Sequence, residues 1–180
     1  MLSLPMEGEY GIYRALYALR LSRAERFLEE LRRLNDVDPV AALLATLLQP
    51  LYARTNLVIV SPWIEDVAFV LSPSLSTLLG LPRIIRLSTI AKIVKSRGLE
   101  MEIVTRSSLR DTFKGQSRKR ALLYALARIE PLIDERIHTK CVATSTHTYI
   151  LTANITEREL TKTRRRKNVT EIADPGRCRP

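Results

Sequence analysis

Cysteine, histidine and aromatic side chains are all scarce in this chain: 180 residues include two cysteines, two histidines and one tryptophan, and aromatics make up 6%. Cys141 and Cys178 form no CxxC pair, and Cys178 stands in a polar tail, so neither a disulfide framework nor a zinc site is expected. His138 and His147 stand alone and no carboxylates cluster, so no dedicated metal site and no cofactor are expected. No stretch approaches the ~18 apolar residues of a membrane span. Met1-Leu2-Ser3-Leu4-Pro5 lacks the basic start and apolar run of a secretory leader. The expected setting is cytoplasmic, with no stable membrane association, because nothing supplies an interfacial apolar patch or anchor.

What the chain does have is leucine and positive charge. Hydrophobic residues reach 46%, enough for a single domain with a substantial core. Lys and Arg number 29 against 19 Asp and Glu, a net charge of +10, and 22 of the 29 are arginine. Such a balance draws polyanions, since each phosphate neutralised by a cation releases condensed counterions, and arginine matches phosphate in a bidentate fork. A basic surface also serves solubility alone. Nucleic acid, DNA or RNA, is the expected partner.

Apolar residues at three- and four-residue steps from Glu9 to Leu34 predict an amphipathic helix. Asp38-Pro39 predicts the cap and first position of a second, Leu/Ala-rich helix, which Pro50 ends or kinks. Residues 56–62 form an apolar run stopped by Pro62 and predict a buried strand. Trp63 lies just past that strand's C-terminal end, where open α/β sheets place ligands, although a core aromatic is the expectation there. Residues 72–82 read as a Leu-rich connection. Arg86 to Arg97 reads as a helix closed by Gly98, followed by a strand at 100–105. Arg106, Arg110, Lys114, Arg118, Lys119 and Arg120 fall within fifteen residues, so 107–117 reads as a basic loop leading into a helix that ends near Ile129. Such a run is a solvated face or a phosphate contact. Residues 134–144 and 148–154 predict two strands joined by a turn at Ser145-Thr146-His147, with His147 an exposed turn residue. No internal repeat is present, so any site occurs once per chain.

That hairpin carries the chemistry. Residues two apart on a strand face the same side, so His138 and Lys140 project together. Thr152 and Asn154 sit on the partner strand, within reach across a hairpin. An imidazole can attack phosphorus or donate a proton, and a lysine with an amide can hold phosphate oxygens.

On these residues the chain resembles the phospholipase D superfamily. The family signature reads HxKxxxxD, then GSxN, then a later glutamate. His138-Thr139-Lys140 matches the HxK, and Leu151-Thr152-Ala153-Asn154 stands where GSxN belongs. Ile155-Thr156 continues the motif, and Asn168-Val169-Thr170-Glu171 resembles its closing N-x-E. The resemblance spans about residues 55–172. It departs where Ser145 occupies the aspartate position, where Leu151 and Thr152 replace Gly and Ser, and in a shorter spacing to the asparagine.

The resemblance implies an α/β/α sandwich around a mixed sheet, preceded by an N-terminal helical pair. Residues 1–54 would form that pair, packing on the core or at a dimer interface; 55–173 would form the phospholipase D-like domain; 174–180 would be a disordered tail. It implies a metal-independent phosphodiesterase. His138 forms a phosphohistidine, Lys140, Asn154 and Thr152 stabilise the pentacoordinate phosphorus, and Glu171 orients the imidazole. One motif per chain supplies half of such a site, so the second histidine would come from the partner in a homodimer. Lys162, Arg164, Arg165, Arg166 and Lys167, bracketed by Asn154 and Glu171, would clamp a nucleic-acid backbone with Arg118 and Lys119. The alternative expectation is a catalytically impaired nucleic-acid-binding protein of the same fold.

Overall fold

A computed structural model describes residues 22–23, 25–29, 39–106, 114–163 and 169–172; for 114–118, 162–163 and 169–172 it describes the backbone alone. Of the first expected helix, residues 22–23 and 25–29 are helical and Leu28 is fully buried, while its remainder, with Asp38 and the tail 174–180, lies outside the described residues. Pro39 opens helix α1 (Pro39–Leu48), where its fixed φ suits the first position. The sequence PVAALLATLL is apolar on every side, and accordingly every residue but Ala41 is buried. Gln49 interrupts the run before a second proline, which starts the short α2 (Pro50–Ala53).

Strand β1 (Leu57–Val60) follows. Then come β2 (Ala68–Val70), α3 (Pro73–Leu79), β3 (Ile84–Arg86), α4 (Leu87–Ser96), β4 (Met101–Thr105), α5 (Lys114–Ala127), β5 (Leu132–Ile133), β6 (Cys141–Ala143), β7 (Thr148–Leu151), α6 (Glu157–Thr163) and β8 (Val169–Ile172). Six strands form one sheet in the order β5-β4-β1-β6-β7-β8, and β2 pairs with β3 apart from it. The sheet is mixed: β1 runs parallel to β4 but antiparallel to β6.

Several expectations are corrected at this point. Residues 72–82 contain a helix, because Ser72 caps it through its Oγ, which accepts from Leu75 N at 3.1 Å, and Pro73 sits at the first position. Gly80, at φ 65°, ends it. The basic stretch is helical from Lys114 onward, across Gly115, while 107–113 lie outside the described residues. The strand expected at 134–144 is shortened to β6, since the chain before it turns at residues 135–136.

Both faces of the central strands are apolar. Leu57, Ile59, Ile103, Val142 and Tyr149 join Leu43, Leu47 and Leu51 of the N-terminal helices and Leu87, Ile90 and Val94 of α4 in one core. The N-terminal helices and the sheet therefore share that core, and the Tyr149 hydroxyl donates to the Pro39 carbonyl at 2.9 Å. Helix α4 shows the cause: Leu87, Ile90, Ala91 and Val94 recur at helical spacing on its buried face. It closes at Gly98, φ 71°, where Leu99 N donates to Val94 O and Gly98 N to Lys95 O, a pattern that needs a left-handed residue.

The opposite sheet face gathers Val60, Val104, Cys141 and Ala143, with Val58, Ile137 and Ile150 against them. Among the described residues no helix contributes to this second cluster. Cys141 is fully buried there and disulfide-bonded, which corrects the expectation that the cysteines form no disulfide. The chain's other cysteine, Cys178, lies outside the described residues.

One buried carboxylate ties the small sheet to α4. Asp66 accepts from Ser88 N at 2.8 Å and Ser88 Oγ at 3.0 Å, capping the helix from a distant loop, while Arg86 donates to the Asp66 carbonyl. Asp66→Ala leaves two buried donors unpartnered and is expected to lower stability by about 1–3 kcal/mol. In urea denaturation the midpoint should fall with an unchanged slope, and Asp66→Asn should lose less. An unaltered midpoint in Asp66→Ala would remove the cap from the account.

Candidate functional site

The change of direction at β1 assembles a rim. Val60 pairs with Val104 on one side and with Cys141 on the other. Past those pairs the parallel side continues, since Arg106 N donates to the Pro62 carbonyl at 3.4 Å, and the Arg106 guanidinium reaches across to His138. Strand β7 ends at the same rim, because Leu151 N donates to Lys140 O at 2.8 Å. The chain after β7 then runs beside the chain after β1 through the Ile64–Ile155 bridge.

Local bonds hold the rim still. Pro62 has no N–H and ends β1, and its carbonyl accepts from Thr105 Oγ1 at 3.2 Å and Arg106 N at 3.4 Å. Ser61 Oγ donates to the Trp63 carbonyl at 2.7 Å and accepts from Ile155 N. The approach to the histidine is set by Asp134, whose N–H donates to Thr105 O at 2.9 Å. The Asp134 carboxylate accepts from Arg136 N and from its guanidinium at 2.9 to 3.2 Å, forming the turn that delivers Ile137 and His138.

His138 is exposed, and both ring nitrogens lie within reach of Arg106 Nη2, at 3.0 and 2.8 Å. A guanidinium only donates, so in a hydrogen bond between the two a ring nitrogen is the acceptor. The Lys140 ammonium folds back onto the His138 carbonyl at 2.9 Å. Among the described residues neither Arg106 nor Lys140 has a carboxylate partner, and Arg106 Nε is buried without an acceptor. Two cations thus stand at His138, Arg106 at its ring and Lys140 at its backbone carbonyl, an arrangement suited to an anion.

The other expected site residues are distributed unevenly. Asn154 is buried near the rim, but its N–H and Nδ2 both donate to Glu159 Oε2, at 2.7 and 3.1 Å, and its Oδ1 has no partner. The amide expected to hold a phosphate oxygen is thereby committed to a carboxylate. Thr152 is exposed and, in register, opposite Thr139, so a one-residue offset separates it from the side shared by His138 and Lys140. Glu171 pairs with Tyr149, which pairs with Val142, so it stands two strands across and four residues along from His138. At ~3.4 Å per residue and ~4.8 Å per strand, this is on the order of 15 Å. The register does not bring Glu171 beside the imidazole.

Lys119 is exposed and paired with Glu157, which holds its ammonium above the usual lysine range and the Glu157 carboxyl below the usual carboxylate range. Arg118 and Lys162 lie on helices α5 and α6 with their side chains outside the description, and Arg164, Arg165, Arg166 and Lys167 lie outside the described residues. Ser145, at the motif's aspartate position, is at the far end of the hairpin with its Oγ 2.7 Å from Thr55 Oγ1. His147 is half-buried and bonded to Gln49 and Thr146, which corrects its expected exposure. A cavity of about 450 Å3 between Leu57, Lys95, Met101 and Ile129 opens at the opposite end of β1 and β4, away from the rim.

Two rim residues stand outside the expected site. Arg106 was visible only as one cation among many; the signal that singles it out is its place one residue past β4. Trp63 was expected in the core and is 38% exposed, because Pro62 turns the chain out of the sheet before it. Compared with protein-family models, curated proteins and solved structures, the chain matches none.

The Asp134 turn yields a pH test. The hydrogen bonds from Arg136 hold the Asp134 carboxyl below its ordinary range. A lowered folded value means the contribution is complete above the unfolded pKa and is lost as pH falls through the folded one. Hydrogen-exchange protection of the Arg136 amide should therefore persist at neutral pH and disappear in acid below the ordinary carboxylate range. In Asp134→Ala it should be several-fold weaker at neutral pH, and equal protection in the two proteins there would refute the turn's role.

Proposed function

We propose that this chain is a metal-independent phosphodiesterase of phospholipase D type that cleaves DNA or RNA, with its site completed by a second copy of the chain. The observation that carries the proposal is the convergence of His138, Lys140 and Arg106 at one rim of a mixed α/β sheet, with neither cation paired to a carboxylate among the described residues. The α/β/α form of the sandwich, with a helical layer on the second sheet face, belongs to the same proposal.

In this reading a neutral His138 nitrogen attacks phosphorus in line as the P–O bond to the leaving group breaks. Arg106 moves from the ring to a non-bridging oxygen, and Lys140 leaves its own backbone carbonyl for another. A second histidine donates the proton to the leaving oxygen and then takes one from the water that hydrolyses the phosphohistidine. The chain carries one HxK, so that histidine is the partner's copy across a two-fold axis. Glu171 has no part in the step at its register position.

The net charge of +10 favours nucleic acid over a neutral substrate. No helix among the described residues is long and apolar enough to cross a membrane. A cytoplasmic setting is part of the proposal and requires that the Cys141 disulfide persist there, as chiefly happens in hyperthermophile cytosol.

A second reading, nucleic-acid binding without turnover, is favoured by the Asn154 amide's commitment to Glu159 and by Ser145's structural bond to Thr55. Cleavage of single-stranded and duplex substrates in EDTA separates the two. Activity should survive chelation and fall by roughly a hundredfold or more in His138→Ala. Turnover that persists in His138→Ala, or that vanishes with EDTA, contradicts the mechanism. Salt-dependent binding with no turnover by the wild type selects the second reading, and a strictly monomeric active species removes the shared site.

A further inference from the structure

Trp63 is the chain's single tryptophan, and it belongs to neither core cluster. An indole left 38% exposed forfeits part of its burial free energy, so the fold itself gains little from a tryptophan there. Its position is nonetheless closely held. The Trp63 carbonyl accepts from Ser61, and the preceding carbonyl accepts from Thr105 and Arg106. The Arg106 guanidinium carbon lies 5.8 Å from the ring centroid, and the same guanidinium reaches His138. An aromatic plane, a planar cation and the candidate nucleophile therefore stand in one row, with Arg106 in contact with both its neighbours.

We propose that Trp63, backed by Arg106, is a stacking platform for one unpaired nucleobase next to the phosphate at His138, which makes single-stranded nucleic acid the substrate class. This rests on the reading of the rim as a nucleic-acid phosphate site. Every base presents a π-face, so an aromatic platform accepts any sequence. In a duplex those faces are covered by neighbouring pairs, whereas an unpaired base is free to stack on protein while its backbone meets the cations. Arg106 serves both ends, stacking against the indole and contacting the phosphate oxygens.

The single tryptophan makes the test direct, because intrinsic fluorescence reports Trp63 alone. The His138→Ala chain, used to suppress turnover, is titrated with oligothymidylate and with an abasic oligomer of equal length. The base-bearing strand should quench the emission and bind roughly tenfold more tightly than the abasic strand. Trp63→Ala should erase that preference while binding the abasic strand within about twofold of its parent, and Trp63→Phe should keep part of the preference. Equal affinity for both strands with unchanged emission, the binding still salt-dependent, overturns the platform and leaves the phosphate site intact. Failure of both strands to bind overturns the platform together with the functional reading. A duplex that binds and quenches as strongly as the single strand also overturns it.

Discussion

Strand β1 is bonded in parallel to β4 along one edge and antiparallel to β6 along the other, and the rest of the molecule is arranged around that reversal. A purely parallel sheet collects only C-terminal strand ends at one rim. Here the C-terminal ends of β1 and β4 meet the N-terminal approach to β6, so residues distant in sequence become register neighbours. Ser61-Pro62-Trp63, Thr105-Arg106 and His138-Thr139-Lys140 need no special loop to find one another. Their proximity follows from pairs formed several residues earlier, inside the buried sheet.

The rim is stiffened by groups that take no part in the proposed chemistry. Ser61, Thr105 and Asp134 each connect two segments by hydrogen bonds, and Asp66 does the same for the loop that carries β2 and β3. Ser61, Asp66 and Thr144 are short buried side chains that accept from backbone N–H groups where segments meet. Arg106 stands apart, because its guanidinium is shared between an indole and an imidazole and its Nε has no acceptor.

Local signals in the sequence were reliable wherever a residue acts through its own backbone. Pro39 at a helix start, Gly98 at a helix end, the apolar run of β1 and the turn at Ser145-Thr146-His147 all appear as their chemistry dictates. The mixed α/β architecture followed from them. The short elements escaped: α3 reads as a loop because its capping serine and two bounding structure-breakers resemble turn residues, and β5 is too brief to show a period. The site was legible in part. His138 and Lys140 stood out once Thr152 and Asn154 followed on the next strand, but the offset of Thr152, the commitment of Asn154 to Glu159 and the distance of Glu171 depend on register across strands. Trp63 and Arg106 were visible as residues and not as a pair, since nothing local says that an aromatic at 63 will meet a cation at 106.

The clamp at the far end of the hairpin has a consequence for how such a sequence drifts over generations. Gln49 bonds Thr144, Thr146 and His147, and Thr55 bonds Ser145, so the turn is held by the end of α1 and the segment after α2. Positions 49 and 55 are thereby coupled to 144–147, and substitutions in the two groups are expected to travel together in descendants of this chain. An inserted residue in the turn would slide β6 against β7 and carry Lys140 off its register with Leu151 at the rim. The tightness of a turn remote from the rim thus conserves the spacing of the rim itself.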